Sequence, residues 1–332
     1  MTYTDRYYVA EPEYSNVYNA GILRKHNEQI LTSEGFKALH LNDTNKISAA
    51  KSLLKYFKIL DKKCIVIFHF PIHSRVKRFF LSFLKLKKIP TAAIIIDIDG
   101  IRDRNTSLLH KEIELLKKFN HIVVHNDVMK SLLSPQLFGV NILSINIFDY
   151  PTQEKPIERF FSATICFAGN AAKATFVFEL KKTPKILYNI YGEGYGVPNN
   201  VKDTFIYKGT ISPAELPSKI EGSFGLVWDG NSVSNGDDYM QYNNPHKLSL
   251  YLAAGLPVIA WEKSAIAKFV KENNIGILIN NISEIEDKIE SLNEAAYDAL
   301  KNNAAKIGIQ VRNGFYLRNV LNQIQQVHSA SL

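Results

Sequence analysis

Cysteine is scarce, with two in 332 residues, and no apolar run approaches the roughly 18 residues that a membrane-spanning helix needs. Cys64 and Cys166 each sit in a run that reads as a buried strand, where an unpaired thiol behaves as a small hydrophobe. A disulfide scaffold is therefore excluded, and a reducing cytoplasm is the expected setting. The opening "MTYTDRYYVAEPEYSNVY" has neither a basic leader nor an apolar signal core, so export is not expected. Two nucleotide-binding signatures are missing as well. There is no GxGxxG with a ribose-binding acid and no GxxxxGK followed by Ser or Thr, which argues against a nicotinamide enzyme and a P-loop NTPase. The nine histidines show no metal-ligand spacing, and no metal or other cofactor is expected. Short repeats and low-complexity segments are absent too, which excludes solenoids and disordered scaffolds.

Acid is nearly absent from one stretch. Between Lys46 and Lys88, twelve Lys or Arg stand against Asp61 alone, within a chain of net charge +8. In "HSRVKRFFLSFLKLKK" (73–88) the bases alternate with Phe79, Phe80, Leu81, Phe83, Leu84 and Leu86. Such a segment fits an anionic membrane surface, which for a cytoplasmic protein is the inner face of the cell membrane. A domain helix with a solvated basic face is the favoured reading. No nucleic-acid recognition module accompanies the charge, so nucleic acid is not an expected partner.

What is present is alternation. β-branched runs at "RYYVA", "CIVIF", "TAAIII" and "HIVVH" alternate with helical patterns, which predicts a parallel sheet covered by helices. A polar stretch with two prolines, "PTQEKPIERF", marks a boundary at 155/156. A second series follows in "ATICFAGN", "KILYNIYGEG", "DTFIYKG", "SFGLVWDG", "LAAGLPVIAW" and "IGILI". The expectation is an α/β protein of two doubly wound Rossmann-like domains, 1–155 and 156–312, facing a cleft. Chemistry then belongs in the loops after strands.

Three such loops stand out. "CFAGNAAK" places Gly169 and Asn170 at a strand end and Lys173 one turn into a helix, a pattern that admits phosphate as well as an ordinary tight turn. In "YNNPHKLSLYLAAGLPVIAW" (242–261), Asn243, Asn244 and Pro245 read as a helix start, with proline near the first turn and Lys247 immediately after. Amides, helix dipole and a cation then converge on one point, which suits a diphosphate. In the first domain "IIIDIDGIRDR" sends Asp97 and Asp99 out of a strand end. Either can act as general base, and pairing with Arg102 is the structural alternative. Phe70, His73 and His125 occupy equivalent strand-end loops of the same domain, as acceptor-side residues or as packing and turn residues.

These stretches resemble the GT-B bacterial sugar-nucleotide glycosyltransferases, and most of all the β-1,6-galactofuranosyltransferases of O-antigen and capsule synthesis. "FAGN", "GLVWDGNSV", the 242–261 stretch, "NNIGILI" and "VRNGFYLRNVL" carry the likeness, together with "NAGILRK", "IDIDGIR" and "HNDVMK" in the first domain. A glucosyltransferase that extends serine-rich adhesins is more distantly similar. The resemblance implies a UDP-sugar donor on the second domain and a saccharide acceptor, carried on polyprenyl diphosphate or otherwise, on the first. Gly169, Asn170, Lys173 and Lys247 would meet the diphosphate, Tyr207 and Gly209 the nucleoside, and Trp228 and Asp229 the sugar. Gly21 would lie opposite, and 313–332 would be a terminal helix that returns to the first domain. Many retaining GT-B enzymes carry two glutamates where this chain has Tyr242 and Leu250, so an inverting reaction is implied, with its base at Asp99 or Asp97. Transfer of galactofuranose is the leading expectation, ahead of transfer of glucose and of a non-catalytic partner subunit. A homo-oligomer remains open.

Overall fold

The computed structural model describes residues 3–11, 21–42, 45–169, 176, 180, 185–193, 205–229 and 239–330. Asn146 is the last residue of a first compact unit and Ile147 opens the second, which runs to Phe315; from Tyr316 the chain belongs again to the first. The division precedes the expected 155/156. The reason is that 147–150 packs with the second unit. Ser249 Oγ donates to Phe148 O at 2.6 Å, Tyr150 N to Val311 O at 3.1 Å and the Tyr150 hydroxyl to Pro213 O at 2.7 Å. The two prolines thus lie inside the second unit.

The first unit runs β1 (Asp5–Val9), α1 (Gly21–Ser33), β2 (Lys37–Leu39), α2 (Lys46–Ile59), β3 (Cys64–Phe70), α3 (Arg75–Leu86), β4 (Thr91–Ile95), α4 (Asp99–Arg102), α5 (Thr106–Leu116), β5 (His121–Val124), α6 (Asp127–Leu133) and β6 (Asn141–Ser144). Its strands form one parallel sheet in the order β2-β1-β3-β4-β5-β6. Every residue of β3, CIVIFHF, is buried, as expected of a central parallel strand covered on both faces. Polar side chains start the helices. Asn45, Ser74, Asn105 and Asn126 each accept from the amide three residues on, satisfying a donor that the helix cannot.

The second unit runs β7 (Thr164–Ala168), β8 (Leu187–Tyr191), β9 (Phe205–Gly209), α7 (Leu216–Lys219), β10 (Phe224–Val227), α8 (His246–Ala253), β11 (Val258–Trp261), α9 (Ala267–Glu272), β12 (Gly276–Ile279), α10 (Ile285–Glu290) and α11 (Glu294–Arg312). Its sheet is also parallel, in the order β12-β11-β10-β7-β8-β9. The last helix, α12 (Phe315–Ala330), is pinned to the end of α1, where Arg318 meets Glu34 at 2.9 Å and Ser33 at 3.1 Å.

Each sheet reverses its direction of winding once, between β1 and β3 in the first and between β7 and β10 in the second. Open α/β sheets bind ligands at the carboxyl ends of the strands at such switch points.

Candidate active site

At the switch point of the second sheet, α8 is fixed by Tyr251. The Tyr251 hydroxyl accepts from Ala168 N at the end of β7 (2.9 Å) and donates to Leu226 O on β10 (3.2 Å). Gly225 makes room for the ring, since a Cβ there would fall 2.3 Å from Tyr251 Cγ. The helix stops as expected. Gly255, at φ 69°, lets Leu256 N reach Tyr251 O at 2.8 Å, a left-handed C-terminal cap.

Its N-terminal turn carries Lys247. The ammonium donates to Trp228 O beyond β10 at 3.2 Å, lies 3.8 Å from Asp229 Oδ1, and sits 4.6 Å above the ring of Phe167 on β7. Lys247 therefore spans the switch point, with its side chain 18% exposed. Burial lowers its pKa and Asp229 opposes the shift. Four residues before Lys247 in the chain, Asn243 Oδ1 is buried without a hydrogen-bond partner. Pro245 is the N-cap of α8, with an extended ψ of 126°, so it stands directly before the first turn.

A row of glycines follows the strand ends next door. Gly169 N donates to Tyr191 O at 3.0 Å, and Gly192 N donates to Gly209 O at 3.1 Å. A Cβ on Gly192, at φ 132°, would stand 2.0 Å from Gly169 O, so that position admits only glycine. The Tyr207 hydroxyl closes the row by donating to Gly192 O at 2.7 Å. Gly169, Tyr207 and Gly209 are thus brought together. Gly192 and Phe167 were missed in the sequence, although "YGEG" after a strand could have flagged the first. Trp228 is only 4% exposed, so its ring packs in the core and its carbonyl is what reaches Lys247. Asn170 and Lys173 lie outside the described residues.

In the first unit β4 ends at Ile95 and α4 begins at Asp99, so Asp97 stands in the connecting loop and Asp99 in the first turn of the short helix, and Arg102 pairs with both. Arg102 bonds to Asp97, to Asp99 Oδ1 at 2.9 Å and to Asp103 at 2.9 Å. His73 Nε2 approaches Asp99 Oδ2 at 3.6 Å. From below, buried Glu112 accepts from the amides of Asp99 (3.1 Å) and Gly100 (2.8 Å), and burial raises its own pKa. No sequence pattern singled out Glu112.

Phe70 and His125 do not line a surface. Phe70 is fully buried in β3 and contributes its carbonyl, which accepts from Ile96 N at 2.8 Å. His125 is 1% exposed; burial pushes its pKa down to about 4 against the pull of Asp97, so the ring is neutral. Gly21 is the first residue of α1. Along 73–88, Phe80, Leu81 and Leu84 enter the core, whereas Phe79 and Leu86 are exposed, as are Ile47, Leu54 and Ile59 of α2. Among the described residues no helix is long and apolar enough to cross a membrane.

Comparison with known proteins matches both halves to one family. Residues 6–147 fit the model "Glucosyltransferase 3-like, N-terminal domain" and 165–324 fit "Glucosyltransferase 3-like, C-terminal domain". The chain is 31% identical over 294 residues to the β-1,6-galactofuranosyltransferase WbbI of Escherichia coli (strain K12), covering 84% of each. It is 27% identical to glucosyltransferase 3 of Streptococcus parasanguinis, covering 78% of each. Among solved structures it resembles Anabaena HepE in complex with UDP and glucose, with a TM-score of 0.63 at 10% identity over 98% of this chain and 99% of that one.

Proposed function

The chain belongs to the glucosyltransferase 3-like family and is a glycosyltransferase of the GT-B fold, and from that premise we propose that it moves a hexose from a UDP-sugar to a saccharide hydroxyl. The reaction we infer inverts the sugar carbon and needs no metal ion. The observation that supports this best is Lys247, held across the β7/β10 switch point by Trp228 O and the Phe167 ring. As the diphosphate leaves, negative charge develops on it. A pre-placed ammonium and helix amides stabilise that charge without reorganising, the role a divalent ion has in other enzymes.

Asp99 takes the acceptor proton in this proposal, and Arg102 holds the other oxygen of its carboxylate at 2.9 Å. The retaining alternative has little support, since Leu250 is buried in α8 where a glutamate would be wanted. Galactofuranose is the proposed sugar, supported by the 31% identical relative. Glucose is the second reading, supported by the family description and the streptococcal relative.

Calorimetric titration with UDP tests the donor site. Wild type should bind saturably, and Lys247→Ala should bind at least about tenfold more weakly, the loss of roughly 1.4 kcal/mol or more expected for a charge-assisted contact. Equal affinities would remove Lys247 from the donor site.

A further inference from the structure

We propose that the carboxyl end of β1 and β3, the switch point of the first sheet, is a subsite for an uncharged polyhydroxyl ligand, a saccharide ring held by Arg24, Asn27 and His69. The identity of that ligand as the acceptor rests on the function proposed above. The subsite itself rests on polar atoms that the fold buries and leaves unsatisfied.

Glu11, two residues past β1, is the hub of the cluster. Lys77 of α3 donates to Glu11 Oε2 at 2.8 Å and to Ala10 O at 3.2 Å. His69, near the end of β3, places Nδ1 3.9 Å from Glu11 Oε1, and Arg24 of α1 places Nε 4.0 Å from the same oxygen. Glu28 of α1 accepts from Glu11 N at 2.7 Å. Arg24, Asn27 and Glu28 are spaced three and four residues apart, so one face of α1 turns all three toward the strand end.

Five buried atoms here have no hydrogen-bond partner: Arg24 Nε, Asn27 Nδ2 and Oδ1, and both ring nitrogens of His69. Asn27 is 1% exposed and His69 4%. Buried polar groups are satisfied in the great majority of cases, so a cluster of unsatisfied ones at a ligand-binding position points to a ligand. The chemistry of the set selects its class. Arg24 and Lys77 are balanced by Glu11 and Glu28, so an added anion would meet two carboxylates and an added cation two bases. Burial beside Arg24 and Lys77 also keeps the His69 ring neutral, with one nitrogen donating and the other accepting. The unsatisfied set is therefore mixed, with donors on Arg24, Asn27 and His69 and acceptors on Asn27 and His69. A hydroxyl both donates and accepts, and adjacent hydroxyls of a sugar ring match such a set where phosphate or carboxylate does not.

The test uses full-length protein labelled with 15N in histidine. The ring signals of His69, identified by their loss in His69→Gln, are followed while methyl β-D-galactopyranoside, methyl β-D-glucopyranoside or glycerol 3-phosphate is added. They should move saturably with a neutral glycoside while keeping the pattern of a neutral ring. Arg24→Gln and Asn27→Leu should each weaken that response about tenfold or more. Arg24 is at the edge of the cluster, so its variant keeps the test valid if Asn27→Leu does not fold. In transfer assays both should raise the acceptor KM with UDP affinity unchanged. Signals that ignore both glycosides, as water-filled polar groups would, overturn the proposal, and so do signals that respond to glycerol 3-phosphate alone. Absence of transfer with every UDP-sugar would count against the proposed reaction, and the histidine titration would still decide the subsite.

Discussion

Arg102 stands between Asp97 and Asp99, and the two carboxylates differ in what else holds them. Asp97 accepts from Ile98 N with Oδ1 and meets Arg102 with Oδ2. Asp99 meets Arg102 with Oδ1 at 2.9 Å and turns Oδ2 toward exposed His73 at 3.6 Å. A general base needs a lone pair that a substrate hydroxyl can reach, and Asp99 Oδ2 offers the better one. Asp99→Asn should therefore leave UDP affinity unchanged and lower kcat by about 10²–10⁴, the usual range for loss of a positioned base, with Asp97→Asn affected less. Steady-state kinetics on both variants checks this, and normal turnover by Asp99→Asn would move the base to Asp97. The Asp-x-Asp pair was legible because both residues sit close together in the chain. Glu112 was not, because it meets Asp99 only after α4 and α5 fold back on each other.

At the scale of elements, the site depends on how closely α8 lies against the second sheet. Gly225 and Tyr251 set that distance, and alanine at 225 would drive Cβ into the tyrosine ring, 2.3 Å from Cγ. Gly225→Ala should cost about 1–3 kcal/mol, the usual penalty of overpacking a core, read as a lower denaturant midpoint. Unchanged stability would mean that α8 is free to shift. Strands were legible from their β-branched runs, and the end of α8 from Gly255. The start of α8 was legible in the Asn-Asn-Pro that directly precedes it. The Gly225–Tyr251 fit could not be read at all, because the pair is far apart in sequence and neither residue signals the other.

At the scale of the molecule, both parallel sheets were legible from alternation alone, and the placement of Lys247 followed from the loop it occupies. The boundary came out late because the prolines of 151–156 belong to a segment that buried Phe148 and Tyr150 had already tied to the second unit. The polar cluster around Glu11 escaped notice because its members come from β1, α1, β3 and α3, which only the sheet order brings together. Acid stability is a property of the whole chain. Burial holds the His69 pKa near 3 and that of His125 near 4, from an ordinary 6.5. Above pH 6.5 neither state binds these protons. Below it the unfolded chain takes them up and the folded one resists, so stability should fall by up to about 1.4 kcal/mol per pH unit for each ring as the pH drops toward 4. Urea midpoints at neutral and acid pH measure this, and a flat or rising profile would contradict it. The most direct measurement of the activity is a donor panel, in which UDP-galactofuranose, UDP-galactose and UDP-glucose are each incubated with a saccharide acceptor in EDTA while UDP release and glycosylated product are followed. Acceptor-dependent release from UDP-galactofuranose is expected; no release from any donor, or release only when a divalent ion is restored, would contradict the proposed reaction.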